Sequence, residues 1–141
     1  MKSELTRQLL RDEGEVLYAY ADSLGYLTIG CGRMIDKRRG GGITPDESDY
    51  LLNNDIDRHD NELIRHLPWV TTLDDARHGA LVNMVFQLGI NGLLEFVNTL
   101  NHIQNGEYDQ AAQDMMRSAW ADQTPKRSQR LADQIRTGEW Q

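Results

Sequence analysis

Asp12-Glu13-Gly14-Glu15-Val16-Leu17-Tyr18-Ala19-Tyr20-Ala21-Asp22-Ser23-Leu24-Gly25-Tyr26-Leu27-Thr28-Ile29-Gly30-Cys31-Gly32 is the stretch from which the fold is read. It opens at the end of an amphipathic segment, where Leu5, Leu9 and Leu10 share one helical face and Gly14 supplies a C-terminal stop. Residues 16–20 then read as a short strand. Asp22-Ser23-Leu24-Gly25 has the composition of a type I turn, with Asp at its first position and Gly at its last. Tyr26 to Ile29 returns as a second strand, which Gly30-Cys31-Gly32 ends. A helix end, a turn and a returning strand thus bring Glu13, Asp22 and Thr28 into one neighbourhood.

Taken singly, each of the three has a purely structural explanation: a solvated helix-end charge, a turn residue, a strand former. Glu13 is nevertheless an odd structural choice. A carboxylate in the last helical turn meets the negative end of the macrodipole, at a cost of roughly 0.3–1 kcal/mol when exposed. That placement favours the protonated form, which suits a general acid. The three together make a candidate catalytic site.

Length and composition bound the answer. The 141 residues and 39% apolar content suit one compact folded unit, able to bury about two thirds of its unfolded surface. Fifteen basic residues against 22 acidic give a formal charge of −7, which argues against binding nucleic acid through a general positive field. The charge is uneven, with residues 115–141 net basic and the rest acidic. Cys31 is the single cysteine, so no internal disulfide forms and a reducing cytosol is expected. The N-terminal residues contain no apolar core of signal-peptide length, and no apolar run approaches the roughly 18 residues of a membrane span. An extracytoplasmic target is therefore expected to be reached through another protein's pore or by cell breakage.

Beyond Arg33-Met34-Ile35, the Lys37-Arg38-Arg39 run and Gly40-Gly41-Gly42 read as a surface hairpin or loop. The alternative, a phosphate nest, matches neither phosphate-loop nor dinucleotide spacing. Thr44-Pro45-Asp46-Glu47 is a helix start with Thr as N-cap and Glu closing a capping box. The helix is expected to run to Leu67, where Pro68 stops it, with Leu52, Ile56, Leu63 and Leu67 on its apolar face. His59 and His66 lie on it, as solvated or packing residues rather than as a metal pair. Thr72 is expected to cap a core helix over 73–88, followed by helices over about 92–105 and 107–118. Thr124-Pro125 opens a last one over about 125–135.

Glu13-Gly14, Asp22 nine residues after Glu13, and Gly25-Tyr26-x-Thr28-Ile29-Gly30-x-Gly32 together resemble the phage-type lysozymes, the family 24 glycoside hydrolases that include the lysozyme of the T-even coliphages. Asn83-Met84-Val85-Phe86-Gln87-Leu88-Gly89, Trp120-x-x-Gln123-Thr124-Pro125-x-Arg127 and Arg136-Thr137-Gly138-Glu139-Trp140 extend the likeness over nearly the whole chain. The resemblance implies an α+β, mainly α, two-lobed lysozyme-like fold in a single domain. A small β-containing lobe would cover 15–43 and a connecting helix 44–67, with residues 1–14 and 68–141 forming a helical lobe.

It also implies hydrolysis of the β-1,4 bond between N-acetylmuramic acid and N-acetylglucosamine in peptidoglycan, by the inverting route. Glu13 matches the acid, Asp22 the carboxylate that stabilises charge at the anomeric carbon and helps activate water, and Thr28 the residue that positions that water. Met34, Phe86, Gln87, Thr99 and Asp114 match substrate-contacting positions, although Phe86 and Gln87 are open to a core role. Met34, Thr99 and Asp114 differ in identity from the T-even example, and Asp114 would turn an amide-type contact into a charged one. Arg127 is the candidate cation supporting Glu13, with a solvated first-turn residue as its alternative. Arg33 stands where relatives commonly have His, and it stays charged at all relevant pH.

No metal or organic cofactor is implied. The expected partner is the peptidoglycan glycan strand, met by a monomer with no nucleic acid and no stable membrane insertion. A phage or prophage endolysin that accumulates in the host cytoplasm and leaves through holin pores is the expected setting. Two rivals remain. One is a cysteine amidase or peptidase using Cys31. The other is a catalytically inactive cell-wall-binding relative.

Overall fold

The computed structural model describes residues 2–36 and 40–141, so the run Lys37-Arg38-Arg39 lies outside the described residues. They form two compact units, Met1–Leu51 and Leu52–Gln141.

The first unit opens with α1 (Lys2–Glu13). Gly14 ends it with φ +75°, a conformation in which a Cβ is strained, while its N–H still donates to Leu10 O at 3.0 Å. Three antiparallel strands follow in the order β1 (Val16–Ala21), β2 (Leu27–Gly30) and β3 (Arg33–Met34). Tyr20 faces Thr28 and Val16 faces Gly30, with an irregularity between Val16 and Tyr20. The two longer strands match the sequence expectation to within a residue. β3 was not expected. It forms because Gly30 and Gly32 both take positive φ and turn the chain back, pairing Met34 with Thr28.

α2 (Pro45–His66) starts in this unit and continues into the next. Its capping box is present: Glu47 N–H donates to Thr44 Oγ1 at 3.2 Å, and Thr44 N–H donates to Glu47 Oε2 at 2.8 Å. By compactness α1 groups with the sheet, whereas the sequence reading assigns residues 1–14 to the helical lobe.

The second unit is helical. A 3₁₀ turn over Pro68–Thr72 leads to α3 (Asp75–Leu94), α4 (Val97–Gln104), α5 (Tyr108–Met116), α6 (Ala119–Gln123) and α7 (Pro125–Thr137). Leu63, Leu81, Met84, Leu93, Met115 and Ile135 are fully buried in its core, each worth about 1.5–3 kcal/mol against exposure.

Three details differ from the expectation. Thr72 closes the 3₁₀ turn by donating to Trp69 O, and Asp74 caps α3 instead by accepting from the Arg77 N–H. The expected break after Leu88 is a kink within α3, where Gly89 takes φ 72° and ψ 165° and the helix resumes. Thr124 is the N-cap of α7 and Pro125 opens the helix as expected, but the Thr124 hydroxyl makes no capping bond and donates to Trp120 O instead. Ser118 meanwhile caps the unforeseen α6 by accepting from Ala121 N–H. The described residues form a mainly α, lysozyme-like fold with a small antiparallel sheet.

Candidate active site

Glu13 is the last residue of α1 and is exposed. Its carboxylate lies against Gly32: a Cβ built on that glycine would sit 3.1 Å from Glu13 Oε2. Gly32 thus serves two needs, a φ of +72° and room for a carboxylate.

Asp22 and Thr28 are organised around a single residue. Asp22 N–H donates to Tyr26 O at 2.8 Å, and Thr28 Oγ1 donates to that same carbonyl at 3.0 Å. Asp22 Oδ1 accepts from Leu24 N–H at 2.9 Å and from Tyr26 N–H at 2.8 Å. The carboxylate is therefore gripped by one oxygen, while Oδ2 takes no hydrogen bond among the described residues. Thr28 is only 3% exposed. Its proton is committed to Tyr26, so its hydroxyl meets any further partner as an acceptor.

The first unit thus carries Glu13, Asp22, Thr28 and, directly across the ladder from Thr28, the half-buried Met34. Next to Met34, Arg33 reaches Glu47 with both terminal nitrogens, each at 2.8 Å. This ties β3 to the first turn of α2. The Arg33 guanidinium first, and then the Thr44 N–H, hold the Glu47 carboxyl down at about 2, and Glu47 in turn raises Arg33. Cys31 is exposed, and its thiol donates to Leu9 O at 3.4 Å.

The remaining predicted residues belong to the second unit, and four of them line two cavities. Thr99 and Asp114 line one of about 540 Å³ together with Phe96, Arg117 and Trp120. Gln87 does not line it but accepts from the Nε1 of its lining residue Trp120 at 3.0 Å. Phe86 and Arg127 line the other, of about 660 Å³, with Leu52, Val82 and Trp140. Phe86 is an exposed ring in edge contact with His59, not a core residue. Arg127 directs Nε and Nη2 at Asn83 Oδ1, at 2.9 and 2.6 Å, so its described hydrogen bonds go to Asn83.

Two participants escaped the sequence reading. Tyr26 acts through its backbone, which no side-chain pattern reveals. His102, which holds Asp114 at 2.8 Å, becomes legible only once Gly106, at φ +77°, is seen to turn the chain between α4 and α5.

Comparison with known proteins identifies a lysozyme-like glycoside hydrolase. The phage lysozyme family model matches residues 11–136, and the chain belongs to that family. It is 34% identical to probable T4-type lysozyme 1 of Dictyostelium discoideum and 32% identical to probable T4-type lysozyme 2 of the same organism. Each comparison covers 98% of this chain and 96% of the relative. The first alignment spans 165 residues, more than this chain's 141, so that relative carries inserted residues with no counterpart here. The chain is also 29% identical to part of the pre-baseplate central spike protein Gp5 of Enterobacteria phage T4, of which it covers 28%.

Proposed function

We propose that this chain is a muramidase that cleaves the β-1,4 bond between N-acetylmuramic acid and N-acetylglucosamine in peptidoglycan with inversion. The observation that carries this reading is the double tie of Asp22 and Thr28 to the Tyr26 peptide. It gives the site an ionised oxygen without a described partner and an acceptor hydroxyl, both held by backbone.

A water donating one O–H to Asp22 Oδ2 and the other to Thr28 Oγ1 keeps a lone pair for the anomeric carbon. Glu13 gives its proton to the leaving glycosidic oxygen as the C1–O bond breaks. The new C1–O bond forms from the water, whose proton passes to Asp22. Each positioned acid or base contributes about 10²–10⁴-fold. Met34 and the cavity of Thr99 and Asp114, flanked by Gln87, are read as sugar contacts, with Phe86 as a further apolar contact. Arg127 is read as the cation that supports Glu13.

The biological setting that fits is a phage or prophage endolysin. It would be held as a monomer in the host cytoplasm, without stable membrane insertion, until holin pores release it. No single helix of the described residues is long and apolar enough to cross a membrane.

The test is digestion of purified peptidoglycan by the parent and by a folded Glu13→Gln variant. New reducing muramic-acid ends from the parent alone, first appearing as the α-anomer by NMR, support the reading. A parent that binds sacculi without releasing reducing ends would be the inactive wall binder, and the β-anomer would sink inversion alone. Lysis of expressing bacteria only when a holin is co-expressed tests the endolysin role, and holin-independent lysis would remove it.

A further inference from the structure

The α4–α5 hairpin carries a cluster whose partners are all within reach of one ring. His102 Nδ1 lies 2.8 Å from Asp114 Oδ2, and its Nε2 lies 3.6 Å from Glu107 Oε2. The turn builds this arrangement: Gly106 takes φ +77° and Glu107 N–H donates to His102 O at 2.8 Å, which brings α5 back along α4. An ionised carboxylate only accepts, so Nδ1 carries the hydrogen and donates to Asp114. Facing a carboxylate at each nitrogen, the ring is braced from both sides.

The Asp114 carboxylate has no other hydrogen bond among the described residues, which leaves Oδ1 unengaged. It lines the 540 Å³ cavity together with Thr99 and Arg117. Thr99 is 3% exposed, yet its hydroxyl has no partner among the described residues. The Arg117 guanidinium likewise has none. Both are polar groups that line the cavity and are available to a ligand.

We propose that His102 is a positioning residue for ligand binding in this cavity. By holding one oxygen of Asp114, it fixes the carboxylate so that the other accepts from a hydroxyl or amide N–H of the glycan strand. Thr99 and Arg117 supply the neighbouring polar contacts. This rests on the reading of the chain as a peptidoglycan hydrolase. It assigns His102 no contact with the reacting atoms, so its effect falls on binding and not on the chemical step.

The experiment is calorimetric binding of soluble N-acetylglucosamine–N-acetylmuramic acid oligomers to the full chain, with kcat and KM measured on the same material. His102→Phe should raise Kd and KM about five- to tenfold, the scale of one charge-assisted hydrogen bond, with kcat unchanged within about twofold. His102→Asn, whose amide N–H replaces the Nδ1 donor, should recover most of the loss. In an Asp114→Asn background, His102→Phe should change Kd less than about twofold, because its target is gone. An equal loss in both backgrounds, no loss at all, or a lower Tm with unchanged Kd would overturn the proposal. A parent that binds oligomers without cleaving them sinks the hydrolase reading and leaves the His102–Asp114 coupling to be decided by the cycle. A parent that binds none sinks both.

Discussion

Replacing Gly32 by alanine tests whether the position of the Glu13 carboxylate matters, because the structure supplies both the perturbation and its control. An L-residue at φ +72° is strained by about 1–2 kcal/mol, which in a domain of this size lowers Tm by about 2–8 °C. The new methyl would also stand 3.1 Å from Glu13 Oε2, so the carboxylate must retreat by a few tenths of an ångström. A 1 Å misplacement of a catalytic group costs about 10²-fold, so this retreat scales to about four- to tenfold in kcat. Gly30→Ala is the control: its φ is +66°, and nothing lies within 4 Å of the added Cβ. Both variants should lose similar stability by thermal unfolding, but only Gly32→Ala should lose kcat on soluble glycan at a temperature where both are folded. Equal kcat in the two variants would refute the idea that Gly32 is kept small for Glu13.

Two further predictions concern stability. Glu47 is held at about 2 against an ordinary 4.5, so its folded pKa lies below its unfolded one. The ion pair's contribution is then present above pH 4.5 and is lost as pH falls toward 2. The Tm gap between the parent and Glu47→Gln should therefore be widest at neutral pH and close over that window; a constant gap would show that the carboxylate's charge is not what ties β3 to α2. Gly138 ends α7 at φ +73°, with Arg77 Nη1 2.7 Å from where its Cβ would stand. Arg77 in turn donates to Ile135 O and Arg136 O, two carbonyls in the last turn of α7. Gly138→Ala should cost about 1–3 kcal/mol in urea unfolding, and more than Gly106→Ala, whose φ is +77° but whose surroundings are open.

The parts of the fold legible in the sequence are those set by local chemistry. Gly14, the Asp22–Gly25 turn and the Thr44/Glu47 capping box each encode a backbone conformation within a few residues, and each lies where the pattern puts it. Thr72 and Thr124 carry the same kind of signal, yet Thr72 is not a cap and Thr124 holds the N-cap position without a side-chain capping bond. Each hydroxyl spends its proton on a carbonyl in the preceding turn, Trp69 O for Thr72 and Trp120 O for Thr124, a competition that composition does not reveal. The site divides in the same way. Glu13, Asp22 and Thr28 stand close in sequence, so one short stretch shows all three. The relation of Asp114 to His102 depends on the packing of α5 along α4, and the bidentate Arg33–Glu47 pair depends on a two-residue strand that periodicity cannot detect.

Burial separates the two jobs of the chain. Among the described residues of Met1–Leu51, Thr28 alone is buried, whereas the apolar core is drawn from Leu63 onward. The proposed catalytic groups are thus held by main-chain hydrogen bonds and positive-φ glycines in a segment that contributes little to the core. The large buried side chains meanwhile carry stability from elsewhere. Side-chain truncation in such a core costs about 2–5 kcal/mol per residue without touching the bonds at Tyr26. The Tyr26 ties act on geometry and scarcely on the core. Removing the Asp22 carboxylate, by contrast, removes both the charge and the acceptor that orders the turn. Its loss cannot be read as chemistry alone unless the Leu24 and Tyr26 amides remain protected from exchange. That distinction makes Thr28 the cleaner probe of water positioning: Thr28→Val keeps the buried shape and the strand preference while deleting the hydroxyl that Tyr26 O holds.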